Sequence, residues 1–380
     1  MNRFERRNVL TWAYILVLIG FTALVLRLSR SDSANHVQID ASTEHQSTLP
    51  LRELWCLAGK SNISRPLYSS GLVYTLDGED PVTITAYSTE NGAVAWTADA
   101  PNDGHAAGTR GYWSIEGNRM AIGSSGLLSV FDTLTGERAW TQRVWNSGFA
   151  IGRGKLFVSG PEQIKAIEVE TGKFVWENTG PGRGWSVAPF YDPSNNVVVF
   201  NDATYRLLDP DTGVIRLELP RLSESRFSYD PNGGQVHNGV LLYMDEAYEV
   251  STGRLIHSRT IPGAHSFLPF IEDGQFYLSN FADVVTIDLS DFTEVWRYTA
   301  PDGFEVVGDP VALDGVIYTI LSDASIRALD RSTGSEIGAW QGDEVVDRRF
   351  GNSPLIPALV TGDGMLFASF GTNQMCAFSE

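Results

Sequence analysis

Residues 130–140 read VFDTLTGERAW, and the recurrence of that phrase decides the fold. An apolar pair, an acid, a turn closed by glycine and a tryptophan four residues later make one unit. It returns as AYSTENGAVAW over residues 86–96 and as AIEVETGKFVW over 166–176. Residues 207–217, LLDPDTGVIRL, carry Leu217 at the tryptophan position, and residues 247–257, AYEVSTGRLIH, carry His257. Residues 286–296, TIDLSDFTEVW, replace the glycine by Phe292 but keep Trp296. Residues 328–338, ALDRSTGSEIG, place Gly338 where the tryptophan belongs and Trp340 two residues late. The glycine-equivalent positions are 44, 36, 41, 40, 39 and 42 residues apart, so the period is near 40.

Working outward, each unit is preceded by a turn residue and a run of alternating apolar residues, as at Gly71, Gly117, Gly154, Asn196, Gly239, Gly274, Gly315 and Gly364. These are read as the inner strands of each repeat. Two strands then flank a turn whose glycine supplies a positive φ. One sheet of about 40 residues leaves both faces wet; stacking such sheets around an axis buries the faces and protects the edges. Eight strand signatures but seven complete turn units are present, and the chain stops at Ala377-Phe378-Ser379-Glu380. The missing outer strand is read at Leu51–Leu57, so the N-terminal strand completes the eighth sheet. The expected fold is all-β, an eight-bladed β-propeller over residues 51–380. Its docking tryptophans are Trp55, Trp96, Trp140, Trp176, Trp296 and Trp340.

The first thirty residues differ. Val9–Leu26 is an 18-residue run without charge, reaching about 27 Å as a helix. Arg3, Arg6 and Arg7 precede it, which favours a cytoplasmic N-terminus with the rest outside. Residues 1–30 are read as an uncleaved signal anchor, with a cleaved signal peptide as the alternative. Residues 31–50 carry no periodicity and read as a flexible tether. The net charge is −18; five arginines and one glutamate lie in residues 1–30, leaving 23 bases, 45 acids and a net −22 beyond them. That excess of acid argues against a nucleic-acid partner. The membrane contact is residues 9–26, and the expected location is the cell membrane, with the propeller on the extracytoplasmic side.

Closure of the ring puts Cys56 on the donated strand beside the strand of Cys376. The simple register sets Cys376 opposite Trp55, so a disulfide needs a bulge or slip. A stapled ring and two buried thiols both remain open.

The glycine-to-tryptophan offset resembles the repeat of the quinoprotein-type, or PQQ-like, propeller family; the Trp-Asp dipeptide of WD40 repeats is absent. The resemblance implies that each outer-strand tryptophan docks on the neighbouring blade. Dehydrogenases of this family hold pyrroloquinoline quinone and calcium, often under an adjacent cysteine pair; here the cysteines are single and distant. The chain is closer in size to the non-enzymatic propellers that scaffold outer-membrane β-barrel assembly. The resemblance therefore implies a protein-binding scaffold with no catalytic residue, cofactor or metal, and an unidentified envelope or extracellular protein as partner. A quinone-dependent dehydrogenase and a small-ligand or glycan-binding propeller are the alternatives.

Chemistry-bearing patterns are sparse. No two of His36, His45, His105, His237, His257 and His265 share the close spacing of a zinc site. The loop Asn102–Arg110 and the acidic turns at Asp77–Asp80 and Asp209–Gly213 read as connectors rather than sites. Trp113, Trp145 and Trp185, with Arg183, lie outside the docking positions and are the candidate partner contacts.

Overall fold

In a computed structural model the chain is described over residues 48–58, 65–77, 82–100, 112–123, 126–144, 148–160, 163–179, 188–193, 195–201, 205–219, 235–237, 239–243, 246–258, 270–342, 357–370 and 374–379. The apolar run 9–26 and tether residues 31–47 lie outside them. Among the described residues no helix is long and apolar enough to cross a membrane.

The strands form eight four-stranded antiparallel sheets. Seven are continuous in sequence: blades 1 to 7 span residues 67–99, 112–143, 148–179, 190–219, 235–258, 270–299 and 311–341. Blade 8 takes three strands from residues 358–379, and its outermost strand is Arg52–Ala58 from the other end of the chain. The all-β, eight-bladed propeller is thus closed by its N-terminal strand.

The strand that follows each turn glycine, such as Leu72–Asp77, is second from the axis rather than innermost. The innermost strand is the piece before the turn, three residues long and too brief to show periodicity in blades 1, 4, 5, 6 and 7, as at Leu67–Ser69, and five residues long in blades 2, 3 and 8. In blades 1, 3, 6, 7 and 8 the two are joined by a two-residue turn with both residues at positive φ, as at Ser70 (53°) and Gly71 (74°) or Asp363 (49°) and Gly364 (71°). Such primed turns match the right-handed twist of paired strands. The outer hairpin turns at the repeat glycine, with φ of 73° at Gly136 and 69° at Gly213. Asp132 Oδ1 accepts from the amides of Leu134 and Thr135, both at 3.0 Å, so the acid of the motif organises the turn that its glycine closes.

The core lies between blades. Leu76, Ile84 and Ala86 of blade 1 pack on Met120, Ile122 and Phe131 of blade 2, and Trp340 and Tyr318 of blade 7 pack on Leu366, Phe370 and Phe378 of blade 8. The second and third strands are buried on both faces, which makes each sheet depend on its neighbours.

In blade 8 the register shifts between Glu53 and Trp55, leaving Leu54 as the extra residue of a bulge. Trp55 therefore faces Ala377 instead of Cys376, and Cys56 stands opposite Cys376. Their sulfurs are bonded, with the Cα atoms 4.1 Å apart, across a separation of 320 residues.

Candidate binding cleft

The positions where the tryptophan motif repeats form one site per blade interface. Three strands contribute a row across the sheet, in several blades an aromatic, a small residue and the tryptophan; blade 2 has Ala121, Val130 and Trp140. The row is Tyr74, Ala86 and Trp96 in blade 1, and Phe157, Ala166 and Trp176 in blade 3. The indole lies on the turn glycine of the next blade, and its N–H donates to the carbonyl three residues before that glycine. Trp96 Nε1 donates to Thr133 O at 2.8 Å, Trp176 to Pro210 O at 3.0 Å and Trp296 to Arg331 O at 2.8 Å. Trp55 uses Thr89 O at 2.9 Å and Trp140 uses Val169 O at 2.6 Å. Glycine is required twice over at these turns. A Cβ on Gly136 would stand 2.5 Å from the Trp96 ring, and one on Gly213 would stand 2.5 Å from Trp176.

Three interfaces depart from this scheme. Between blades 5 and 6, His257 takes the tryptophan position and stacks on Phe292, which has replaced the glycine. Between blades 7 and 8, the docking position is Gly338, where a Cβ would meet Thr48 O at 2.3 Å. The incoming chain lies there instead, with Thr48 N donating to Ala339 O at 2.7 Å. Trp340, two residues on, is buried against Phe370 and Phe378 and donates to Glu53 Oε2 at 3.0 Å.

Between blades 4 and 5 the row is Val199, Leu207 and Leu217. The middle residue has grown and both ends have shrunk, and no indole reaches blade 5 from Leu217. A cleft of about 430 Å³ opens at this junction, with Val197, Leu207, Leu217, Val240, Val250 and Ile256 among its walls. Asn195, Arg216, Glu249 and Ser251 add polar groups. Val250 sits three residues before Gly253, the place of the indole acceptor elsewhere. Asp209, beside the cleft, has its carboxyl held down to about 2, first by the Arg216 guanidinium, against the opposing cost of burial. Neighbouring blades are also clasped by ions: Lys155 Nζ meets Asp211 Oδ1 at 2.7 Å, and Arg119 joins Asp132 (2.8 Å) to Glu170 (2.7 Å). Such half-exposed pairs are each worth about 0–1 kcal/mol.

Of the sequence-derived contact candidates, Trp113 is half-buried, packs in the interface of blades 1 and 2 and donates to Arg65 O at 3.1 Å. Trp145, Trp185 and Arg183 lie outside the described residues, as does the loop Asn102–Arg110 with His105. The cleft itself escaped sequence reasoning, although Leu217 at a tryptophan position was its signal. Among the described residues no three His, Cys, Asp or Glu side chains gather as a metal site. The two cysteines are bonded to each other in blade 8.

The PQQ_2 family profile, described as outer membrane protein assembly factor BamB, matches residues 22–141, 124–229 and 243–379. No curated protein matches the sequence significantly. BamB from Moraxella catarrhalis superposes with a TM-score of 0.64 at 16% identity, over 87% of this chain and 98% of that one. The computationally designed Ika8 protein gives a TM-score of 0.62 at 16% identity, covering 84% and 96%. A europium-containing methanol dehydrogenase gives 0.62 at 13% identity, covering 87% and 93%. Identities this low carry the fold alone.

Proposed function

The chain belongs to the PQQ_2 family, and from that membership we propose that it is a non-enzymatic scaffold that binds other proteins outside the cytoplasm, tethered to the membrane by residues 9–26. The observation that carries this reading is the span of the family match, which takes in strands of all eight blades and bears the description of an assembly factor. The geometry suits such a role. A ring whose sheets interlock through tryptophan, glycine and ion pairs is rigid, and a rigid frame holds connecting loops in place for recognition. The anchor rests on the 18-residue uncharged run and its flanking arginines.

The test is crosslinking of the full-length chain in its native membrane, followed by mass spectrometry. A reproducible protein partner is the expected result, and repeated capture of none overturns the reading. Alkaline extraction of the same membranes should leave the chain in the pellet; release into the supernatant would remove the anchor. The fold shared with a methanol dehydrogenase supplies the alternative. Dye reduction by an alcohol after addition of pyrroloquinoline quinone and calcium would favour it over the scaffold.

A further inference from the structure

We propose that the cleft between blades 4 and 5 is a docking site for a tryptophan carried by a partner protein, in an extended segment with acidic residues beside it. This rests on the scaffold reading and gives that reading a place on the ring.

The molecule itself shows what fits. The junctions entered by Trp55, Trp96, Trp140, Trp176 and Trp296 each hold an indole against a turn of the next blade, with its N–H on a backbone carbonyl. The junction at Leu217 keeps the turn: Gly253 has a φ of 71°, and its amide donates to Glu249 O at 2.7 Å. It keeps Val250 at the acceptor position and apolar walls on both sides, but lacks the ring. The cleft occupies, between blades 4 and 5, the position that seats an indole at those junctions, so an indole from outside meets the same kind of surface.

Its rim favours acid. Arg216 lines the cleft with its side chain 41% exposed, bonded to Asp209 and to Asn196 O, and Arg254, paired with the lining residue Glu249, is 68% exposed. On a chain of net charge −18 this is a place where a carboxylate finds a cation. Ile256, 38% exposed at the mouth, gives the segment an apolar step beside the ring.

The test uses the full-length chain in detergent solution and a short acidic peptide carrying one 5-fluorotryptophan, followed by fluorine NMR. Saturable binding is expected with a Kd on the order of 1 mM or tighter, and the same peptide with alanine at that position should not bind. Ile256→Glu should weaken binding at least tenfold. The pair Leu207→Ala with Leu217→Trp rebuilds the small-residue and tryptophan row, so it should fill the cleft from within and abolish binding. No saturation by 10 mM peptide, or binding unchanged in both variants, overturns the proposal.

A photo-crosslinker at position 256 separates the two ideas in native membranes. Adducts with a partner through a tryptophan-bearing peptide support the site. Adducts only with this chain or a second copy overturn it. A partner that is captured elsewhere on the ring, with none at position 256, overturns the site and leaves the scaffold standing.

Discussion

His257 lies face to face on Phe292, with ring centroids 4.5 Å apart and planes 9° from parallel. Five interfaces place a tryptophan over a glycine; this one has exchanged both members. A phenyl ring on the turn leaves no floor for an indole, and the smaller imidazole restores a flat contact. Phe292 adopts a φ of 59°, a conformation that costs an ordinary side chain about 1 kcal/mol or more, so packing must hold it there. Restoring one partner alone should fail: His257→Trp should clash, and Phe292→Gly should leave a void. The double variant should regain most of the loss, with a coupling of about 1–3 kcal/mol in a denaturation cycle. Additive losses would show that the two rings do not act as a pair.

The turn glycines allow the packing and backbone terms to be separated. Gly136→Ala puts a Cβ 2.5 Å from the Trp96 ring at a φ of 73°. Gly154→Ala meets a similar φ, 69°, with nothing within 4 Å. The second should cost about 1 kcal/mol from the backbone, and the first about 1–3 kcal/mol more. Equal midpoint shifts in urea would mean that the indole contact contributes little.

These positions also show what the sequence could and could not disclose. The repeat, the blade number and the donated strand were legible because glycine at positive φ and tryptophan at a fixed offset leave marks one residue wide. The innermost strands of five blades were not, because pieces such as Leu67–Ser69 are three residues long and cannot display alternation. The partner of Cys56 depended on a bulge at Leu54, and a bulge is a choice of hydrogen bonds that no residue type announces. The cleft is the converse case. Leu217 stood in the sequence as an irregular repeat, but whether neighbours had closed over the missing ring could be learned only from packing. Trp113 lies outside the docking row, and its indole N–H donates to Arg65 O in the interface of blades 1 and 2, a contact that the repeat does not encode.

Acid should loosen the ring through the turns. Asp209 is held down to about 2 by Arg216, and Asp288 and Asp330 are lowered by hydroxyl and amide donors at their own turns, Ser290 for one and Ser332 and Thr333 for the other. A carboxyl more acidic in the folded than in the unfolded chain stabilises fully above its unfolded value, near 4. That contribution disappears as the pH falls through the folded value. The urea midpoint should therefore hold steady from about pH 7 to 5 and drop between about pH 4 and 2. Asp209→Asn keeps an acceptor for the turn but loses the charge facing Arg216. It should sit below the wild type at pH 7 and converge with it near pH 2; a constant gap would remove the ion pair from the explanation.

Ring closure offers the largest single effect. Arg52–Ala58 is the only part of blade 8 supplied from the far end of the chain, and Cys56 fastens it to Cys376 beside the docking residue Trp55. A crosslink over 320 residues removes much of the freedom of the unfolded chain, about 5 kcal/mol in the chain-entropy model. Reduction, or Cys56→Ser, should lower stability by several kcal/mol while leaving the propeller folded, because the strand pairing and the Trp55 contact on Gly92 persist. Trp55→Ala in the oxidised protein should cost about 3–5 kcal/mol through the lost ring. Combining it with Cys56→Ser should exceed the sum of the two, since each holds the strand in place for the other. The readout is urea unfolding with and without reductant, paired with intact mass after alkylation. A wild type whose midpoint ignores the reductant, with both thiols labelled, would show that hydrogen bonds and tryptophan alone hold the ring shut.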